Sequence, residues 1–281
     1  MVKSFFPTSL LEALELCTRK ELCPLSGGTD LMVRYHSPAG ILPHFKQNLL
    51  FTKNIATLNV LEKDEQNLIV GANVTLSQLL NWQYTPPVLR LALQEMASPA
   101  IRNVGTMAGN ICNASPAGDT LPPLYALDAV VCLQSVRQTR EMPIAQFVLG
   151  PGKTAIRKQE LLVKIKIPCK TSNLYFYKKV AMRKAAAISK VSLAMTAAKE
   201  GQHLLSVAVA IGAVGPTVVR LPEAEQWLLH ADNKPNTKLL SAVYREYDKA
   251  IQPIDDMRST AEYRKQVTMN LLRHVYENCI K

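Results

Sequence analysis

The 281-residue chain carries 33 Lys and Arg residues against 22 Asp and Glu residues, a formal net charge of +11, and 48% of its residues are hydrophobic. This composition excludes a disordered protein and suits two compact domains, because it supplies enough apolar residues for a substantial core. The basic residues are scattered and no nucleic-acid-binding motif accompanies them. The charge therefore favours an acidic partner or ligand over a nucleic acid.

The six cysteines lie far apart and form no CxxC pair. We therefore expect no zinc, iron–sulfur or other metal site held by this chain alone. The N-terminal residues lack the apolar core of a signal peptide, and no apolar run approaches the roughly eighteen residues of a membrane-spanning helix. A reducing cytoplasm with free thiols is the expected location, without a membrane span.

The predicted elements begin with a helix in LLEALELCTRK, where Ser9 and Glu12 have the spacing of a capping box. A short strand, LCPL, leads into a glycine-rich segment between Pro24 and Met32. NLIVGA has the composition of a second strand, and Thr75 is placed to cap the short helix LSQLLNW behind it.

A proline pair then interrupts the chain ahead of the helical segment VLRLALQEMA. A second glycine-rich segment, between Asn103 and Asp119, separates this helix from a buried strand, AVVCL. In ELLVKIKIP, apolar residues alternate with Lys164 and Lys166, which is typical of a half-buried strand, and Pro168 ends it.

Composition changes after Pro168. We therefore expect a first domain of residues 1–170, with subdomains of about 1–55 and 56–170, and a C-terminal domain of residues 171–281. The C-terminal domain should open with a hairpin that turns at Gly201 and Gln202, followed by helices. The last predicted helix has apolar residues at helical spacing: Tyr263, Val267, Leu271 and Val275.

The two glycine-rich segments, PLSGGTDLM and NVGTMAGNICNASPAGD, show no hydrophobic period. Glycine permits positive φ and removes the Cβ that would block a ligand. Successive exposed N–H groups in such turns hold anions, while Asn, Ser and Thr add hydrogen-bonding groups. Neither segment is a Rossmann or Walker motif. Together they predict a long, polar, partly anionic ligand such as a dinucleotide, although the first alone is equally typical of a tight turn that caps a strand.

Several blocks occur in a family-specific order: SGGTDLM, IRNVGTMAGNICNASPAGDTLPPLYALDA, GPGKTA, ELLVKIKIP, AVGPTVVRLPEAE and STAEYRKQVTMNLLRH. The chain resembles the FAD-binding, or medium, subunit of molybdenum hydroxylases of the xanthine dehydrogenase and carbon monoxide dehydrogenase type. The resemblance covers essentially the whole chain. It implies an α+β fold, with a two-part FAD-binding module of the vanillyl-alcohol-oxidase/xanthine-dehydrogenase type. A C-terminal α+β domain with a small antiparallel sheet and helices should follow.

The same resemblance implies that the two glycine-rich segments form the two sides of an FAD pyrophosphate cradle. The implied cofactor-binding residues are Leu25, Ser26, Gly27, Gly28, Thr29, Asp30, Leu31, Met32, Gly105, Thr106, Ala108, Gly109, Asn110, Asp119, Leu162 and Lys179. From the residues alone, Leu162 is equally typical of plain core and Lys179 of a solvated face. The family usually has Gly-Gly-Asn at positions 108–110, so the Ala108 methyl is expected to crowd the pyrophosphate.

The implied function is electron transfer, with no catalytic side chain in this chain. A small subunit with [2Fe–2S] clusters would feed electrons to FAD, and a large subunit with a molybdopterin–molybdenum centre would oxidise an organic substrate, with a purine the first expectation. NAD or a ferredoxin- or flavodoxin-like carrier would accept the electrons, and the absence of a carboxylate near Ala187 disfavours NAD. Two alternatives remain open: a stand-alone FAD-dependent oxidoreductase and a flavin-free structural subunit.

Overall fold

The computed structural model describes residues 2–38, 40–41, 43–201, 203–229 and 237–280. Strands and helices are mixed along these residues, as expected of an α+β protein. The strands are β1 (Ser4–Phe5), β2 (Leu22–Leu25), β3 (Asn48–Phe51), β4 (Leu61–Lys63), β5 (Asn67–Gly71), β6 (Val130–Gln134), β7 (Thr139–Pro143), β8 (Val148–Gly150), β9 (Lys153–Thr154), β10 (Leu161–Pro168), β11 (Leu174–Ala181), β12 (Ser189–Glu200), β13 (His203–Gly212) and β14 (Val219–Arg220).

The helices lie between these strands and at the C-terminal end. They are α1 (Leu10–Arg19), α2 (Thr29–Arg34), α3 (Leu76–Asn81), α4 (Pro87–Glu95), α5 (Pro99–Arg102), α6 (Met107–Asn113), α7 (Leu121–Ala126), α8 (Ile144–Phe147), α9 (Pro222–Leu229), α10 (Thr237–Ala250) and α11 (Ala261–His274), with a 3₁₀ turn at Ala56–Leu58 and a π-helical segment at Val275–Ile280. None of the helices in the described part of the chain combines the length and apolar character needed to cross a bilayer.

Packing divides the chain into two compact units that do not follow sequence order. The first unit contains the chain up to Tyr84, together with Ser98–Ala114 and Ala129–Cys169. The second contains Thr85–Ala97, Ser115–Asp128 and the chain from Lys170 onward. Two segments from before residue 170 therefore pack with the later part of the chain. The expected division into domains 1–170 and 171–281 stays a prediction.

The first unit contains a parallel sheet in the order β1–β3–β2 and an antiparallel sheet in the order β4–β5–β10–β6–β7. Pro24 is tolerated because β2 is an edge strand. The predicted alternation in β10 is confirmed, since Lys164 and Lys166 are half-buried while Val163, Ile165 and Ile167 are buried. This sheet carries the core of the unit.

Two predicted helix caps form in this unit. The Ser9 hydroxyl accepts from the Glu12 amide at 3.2 Å, although the Glu12 carboxylate accepts from the Thr8 amide and not from Ser9. Thr75 and Gln78 form a complete capping box at the start of α3. Each cap satisfies amide groups that have no partner within the first helical turn.

Each glycine-rich segment contains residues of a short helix that the sequence, with no hydrophobic period there, did not predict. The first contains the start of α2, with Gly28 as its N-cap in the left-handed region at φ 70°. The second contains α6, where the Thr106 hydroxyl caps the helix by accepting from the Gly109 amide at 3.0 Å. Glycine and small polar residues have low helix propensity, so these one- to two-turn helices depend on their caps and surroundings and leave no periodic pattern.

The second unit is built on an antiparallel sheet in the order β11–β12–β13–β14. The predicted hairpin is confirmed as β12 and β13, with Gly201 at φ 56° in the turn, whereas Gln202 lies outside the described residues. Apolar residues on one face of the sheet pack on α9, α10 and α11. The other face packs on α4 and α7.

The buried face of α11 differs from the predicted one. Tyr263 is 43% exposed, whereas Arg264 is only 4% exposed. The Arg264 guanidinium donates to the backbone carbonyls of Lys190 and Ala213 and to the carboxylate of Asp256. These bonds offset the energetic cost of burying a charge. A charged residue therefore occupies a buried position, and the spacing of apolar residues cannot identify such a position as buried.

Candidate cofactor site

The two glycine-rich segments meet backbone to backbone in the first unit. A Cβ at Gly27 would lie 2.3 Å from the Val104 carbonyl oxygen and 2.8 Å from the Gly105 Cα. A Cβ at Gly105 would lie 3.1 Å from the Ile101 carbonyl oxygen and 3.3 Å from Thr29 Oγ1. The contact therefore requires glycine at position 27 for space. It makes one surface from two segments whose contacting glycines, Gly27 and Gly105, are 78 positions apart.

Polar side chains hold this surface together. The Ser26 and Thr52 hydroxyls both donate to Asn73 Oδ1, at 2.9 and 2.8 Å, and Asn73 Nδ2 donates to the Thr52 carbonyl at 2.7 Å. Arg34 donates to Asn113 Oδ1 at 2.6 Å, which joins the ends of α2 and α6. Sequence reasoning missed Asn73 and Thr52. The only signal that each gives in the sequence is a polar residue in an apolar context.

Helix α6 turns Ala108 away from the exposed surface. The Ala108 side chain is buried with Met107 and Ile111, whereas Gly109 is exposed. A Cβ at Gly109 would meet only Thr106 Oγ1, at 3.0 Å, within 4 Å. The Ala108 residue is only 5% exposed, and the expected crowding of a pyrophosphate by its methyl stays a prediction.

The other predicted residues of the first unit differ in accessibility. Asp30 and Met32 are exposed, while Leu25 and Leu31 are half-buried, as is Asn110. Leu162 is only 7% exposed on β10. The burial of Leu162 fits the core alternative, and the accessible predicted positions belong to the two glycine-rich segments.

A cleft of about 490 Å³ opens in the same unit between the end of α1, strand β2 and the loop at residues 156–160. Leu22 and Pro24 supply apolar lining, and Arg19, Arg157 and Lys158 supply cationic lining. Pro24 is the first residue of the first glycine-rich segment. Sequence reasoning missed this cleft, because its walls come from segments that show no common motif.

In the second unit, two predicted residues far apart in sequence form a buried ion pair. Lys179 Nζ lies 2.7 Å from Asp119 Oδ2, and the two side chains are 3% and 9% exposed. Ser189 donates to the other Asp119 oxygen at 2.6 Å, and Lys179 also donates to the Glu95 carbonyl. The alternative of a solvated Lys179 is therefore wrong. Ser189 was missed by sequence reasoning.

Tyr177 lies near this pair, two residues before Lys179 on β11. Its hydroxyl is buried and has no hydrogen-bond partner among the described residues. Burial, together with the negative charges of Asp119 and Glu95, raises the pKa of Tyr177 well above its ordinary value. The phenol consequently stays protonated, so that it remains available as a donor in this polar cluster.

The comparisons with known proteins agree with this architecture. The family model described as the FAD binding domain in molybdopterin dehydrogenase matches residues 1–170. The model described as the CO dehydrogenase flavoprotein C-terminal domain matches residues 175–279. Together the two matches account for nearly the whole chain.

Relatives of similar length were found by sequence and by structure. The chain is 29% identical over 265 residues to the xanthine dehydrogenase FAD-binding subunit of Escherichia coli O157:H7, covering 91% of this chain and 88% of that protein. It is 25% identical over 279 residues to the carbon monoxide dehydrogenase medium chain of Hydrogenophaga pseudoflava, covering 95% and 93%.

A solved carbon monoxide dehydrogenase from Hydrogenophaga pseudoflava, which lacks the Mo-pyranopterin moiety of its molybdenum cofactor, contains a chain of the same fold. The TM-score is 0.89 at 22% sequence identity, covering 99% of this chain and 96% of that one. The predicted α+β flavoprotein fold is thereby confirmed. Because the first family model alone matches more than half of its residues, the chain belongs to the family of FAD-binding domains in molybdopterin dehydrogenases.

Proposed function

We propose that the chain binds one FAD without a covalent link and serves as the electron-transfer subunit of a multi-subunit molybdenum hydroxylase. The observation that carries the proposal is the backbone contact of Gly27 with Val104 and Gly105, which joins the two predicted cradle segments. When bound, FAD accepts electrons one at a time and passes a pair to an acceptor. The chain's own task is to hold and orient the cofactor.

The donor set of the first unit fits such a ligand. Gly28 and Thr29 would offer backbone N–H groups to phosphate oxygens, and the Thr29 hydroxyl would add a further donor. The cleft of the first unit has the volume of a small-molecule site, and Arg157 and Lys158 line it. Guanidinium and ammonium groups bind phosphate strongly, so we assign the adenosine-phosphate half of FAD to this cleft.

In the second unit, Asp119 and Lys179 remain predicted cofactor contacts. Lys179 and Ser189 each occupy one oxygen of the Asp119 carboxylate, which fixes its orientation. A carboxylate held in this way accepts hydroxyl groups in a defined direction, because each oxygen has more than one acceptor site.

We further propose that a small subunit with [2Fe–2S] clusters supplies the electrons and that a large molybdopterin subunit oxidises a purine-like substrate in the cytoplasm. For the acceptor we favour an acidic carrier, ferredoxin- or flavodoxin-like, over NAD. Lys184 and Arg183 are exposed beside Ala187, and the segment carries no carboxylate to accept from a ribose hydroxyl. The Arg183 guanidinium donates to the carbonyls of Ala185 and Ala186 within this segment.

The visible absorbance of the purified chain, before and after gel filtration, tests the flavin proposal. Gly109→Val places a branched side chain on the exposed side of α6 and should abolish flavin retention. Gly150→Val is the matched control, because a Cβ at Gly150 would meet no heavy atom within 4 Å. Circular dichroism must show that both variants fold, since the valine also approaches the Thr106 cap.

A folded Gly109→Val protein with full flavin absorbance would contradict the cradle assignment. Flavin that stays attached after acid precipitation would contradict non-covalent binding. Iron and molybdenum that copurify with the chain from its native source support the complex, whereas an active monomer that turns over an organic substrate supports the stand-alone oxidoreductase. A colourless chain that cannot be reconstituted with FAD supports the flavin-free subunit.

A further inference from the structure

Glu160 is the most heavily bonded side chain at the wall of the cleft. Its carboxylate accepts from Arg140 Nε at 2.7 Å, from Arg140 Nη2 at 2.8 Å and from the Arg157 backbone amide at 2.9 Å. Only 2% of its side chain is exposed. Arg140 also donates to the Ala155 carbonyl at 2.7 Å. One buried ion pair thus holds both ends of the loop at residues 156–160.

The pairing also sets the charge of the cleft. Because Arg140 neutralises Glu160, the cationic side chains of Arg157 and Lys158 are not cancelled by the carboxylate next to them. The other carboxylate in the lining belongs to Glu21, which lies 3.9 Å from Lys158 Nζ with both groups largely exposed. A pair of this kind contributes little, so the cleft keeps a net positive charge.

We infer that Glu160 and Arg140 are positioning residues that fix the loop at 156–160 as the cationic wall of the adenosine-phosphate cleft and thereby select FAD over FMN. The inference rests on the proposed function. FMN carries the flavin and one phosphate but no adenosine half, so it has no group to fill the cleft. Loosening the loop should therefore lower the affinity for FAD without changing the affinity for FMN. General damage to the unit would lower both affinities.

The test measures the affinity of the full chain for FAD, FMN and ADP by calorimetry. In Glu160→Gln, one charge-assisted contact to Arg140 or to the Arg157 amide is lost. We expect FAD and ADP affinities to fall about tenfold, the effect of losing one such bond, while FMN affinity stays unchanged. Glu141→Gln is the control, because Glu141 forms a more exposed ion pair with Lys166 on the same sheet and should change none of the three.

Arg157→Gln gives a second measurement if Glu160→Gln does not fold. It removes a cleft cation but keeps the backbone amide that binds Glu160, and it should weaken FAD and ADP but not FMN. Parallel weakening of FAD and FMN by either variant, or unchanged ADP affinity in both, would overturn the inference. Suppose instead that the wild-type chain binds ADP, that Glu160→Gln weakens this binding, and that the wild-type chain binds no FAD. This result would overturn the proposed function and leave the cleft assignment standing.

Discussion

Replacing Gly27 by alanine should damage the first unit more than the same change at Gly28 or Gly150. The added Cβ would lie 2.3 Å from the Val104 carbonyl oxygen, whereas ordinary contact begins near 3.4 Å. The shortfall is about 1 Å, and the obstacle is backbone, which cannot rotate away as a side chain can. Overpacking typically costs about 1–3 kcal/mol, so we expect about 3 kcal/mol at this rigid site.

Two other glycines distinguish the cost of steric contact at an added Cβ from the cost of an unfavourable backbone conformation. At Gly28 a Cβ would meet only the Leu25 side chain, at 3.3 Å, and the cost comes from φ 70° instead. For alanine in the left-handed region this is about 1 kcal/mol. At Gly150 a Cβ would meet no heavy atom within 4 Å. The expected order of destabilisation is therefore Gly27→Ala, then Gly28→Ala, then Gly150→Ala.

Thermal unfolding followed by circular dichroism measures this order. A loss of about 3 kcal/mol corresponds to a Tm lower by roughly 10 °C for a protein unit of this size. Flavin retention should fall with Gly27→Ala, because the two cradle segments would be forced apart. A Tm for Gly27→Ala equal to that of Gly150→Ala would refute the reasoning, since it would mean that the backbones separate without cost.

Asp119→Asn should destabilise the second unit by about 3 kcal/mol in urea unfolding, because it leaves Lys179 buried beside a neutral partner; stability equal to wild type would contradict the buried pair. Hydrogen bonds from the Arg258 amide and from Arg264 lower the pKa of Asp256 from 3.8 to about 2. Its stabilising effect is therefore complete above pH 4 and is lost as the pH falls towards 2. Asp256→Asn should flatten the dependence of Tm on pH across that interval, and an unchanged slope would exclude this role. In the assembled enzyme, Ala187→Asp should raise steady-state turnover with NAD relative to an artificial acceptor, and no change would mean that the acceptor is selected elsewhere.

Local features of the fold followed directly from the sequence. The alternation in β10, the Thr75 cap and the β12–β13 hairpin each depend on residues close together in the chain, and each was predicted correctly. The helices α2 and α6 were not, because their glycines and small polar residues obscure helical periodicity. Their caps at Gly28 and Thr106 compensate for weak propensity.

The candidate site was predictable only in part, because its decisive contacts join distant segments. Gly27 and Gly105 were among the predicted cofactor-binding residues. The contact between these two residues, however, depends on how the two segments approach each other in the folded unit. Lys178 and Lys179 look alike in sequence. Only the fold shows that the first is exposed and that the second pairs with Asp119, sixty residues away.

The interleaved course of the chain has a consequence for synthesis on the ribosome. The segments that carry α4 and α7 emerge early, yet they pack on β11, β12 and β13, which are translated later. The apolar faces of these two helices therefore remain exposed to solvent until the chain beyond Lys170 has left the exit tunnel. A fragment ending at residue 170 would keep these faces exposed permanently, so such a fragment should aggregate, and the nascent chain should need a chaperone at that stage.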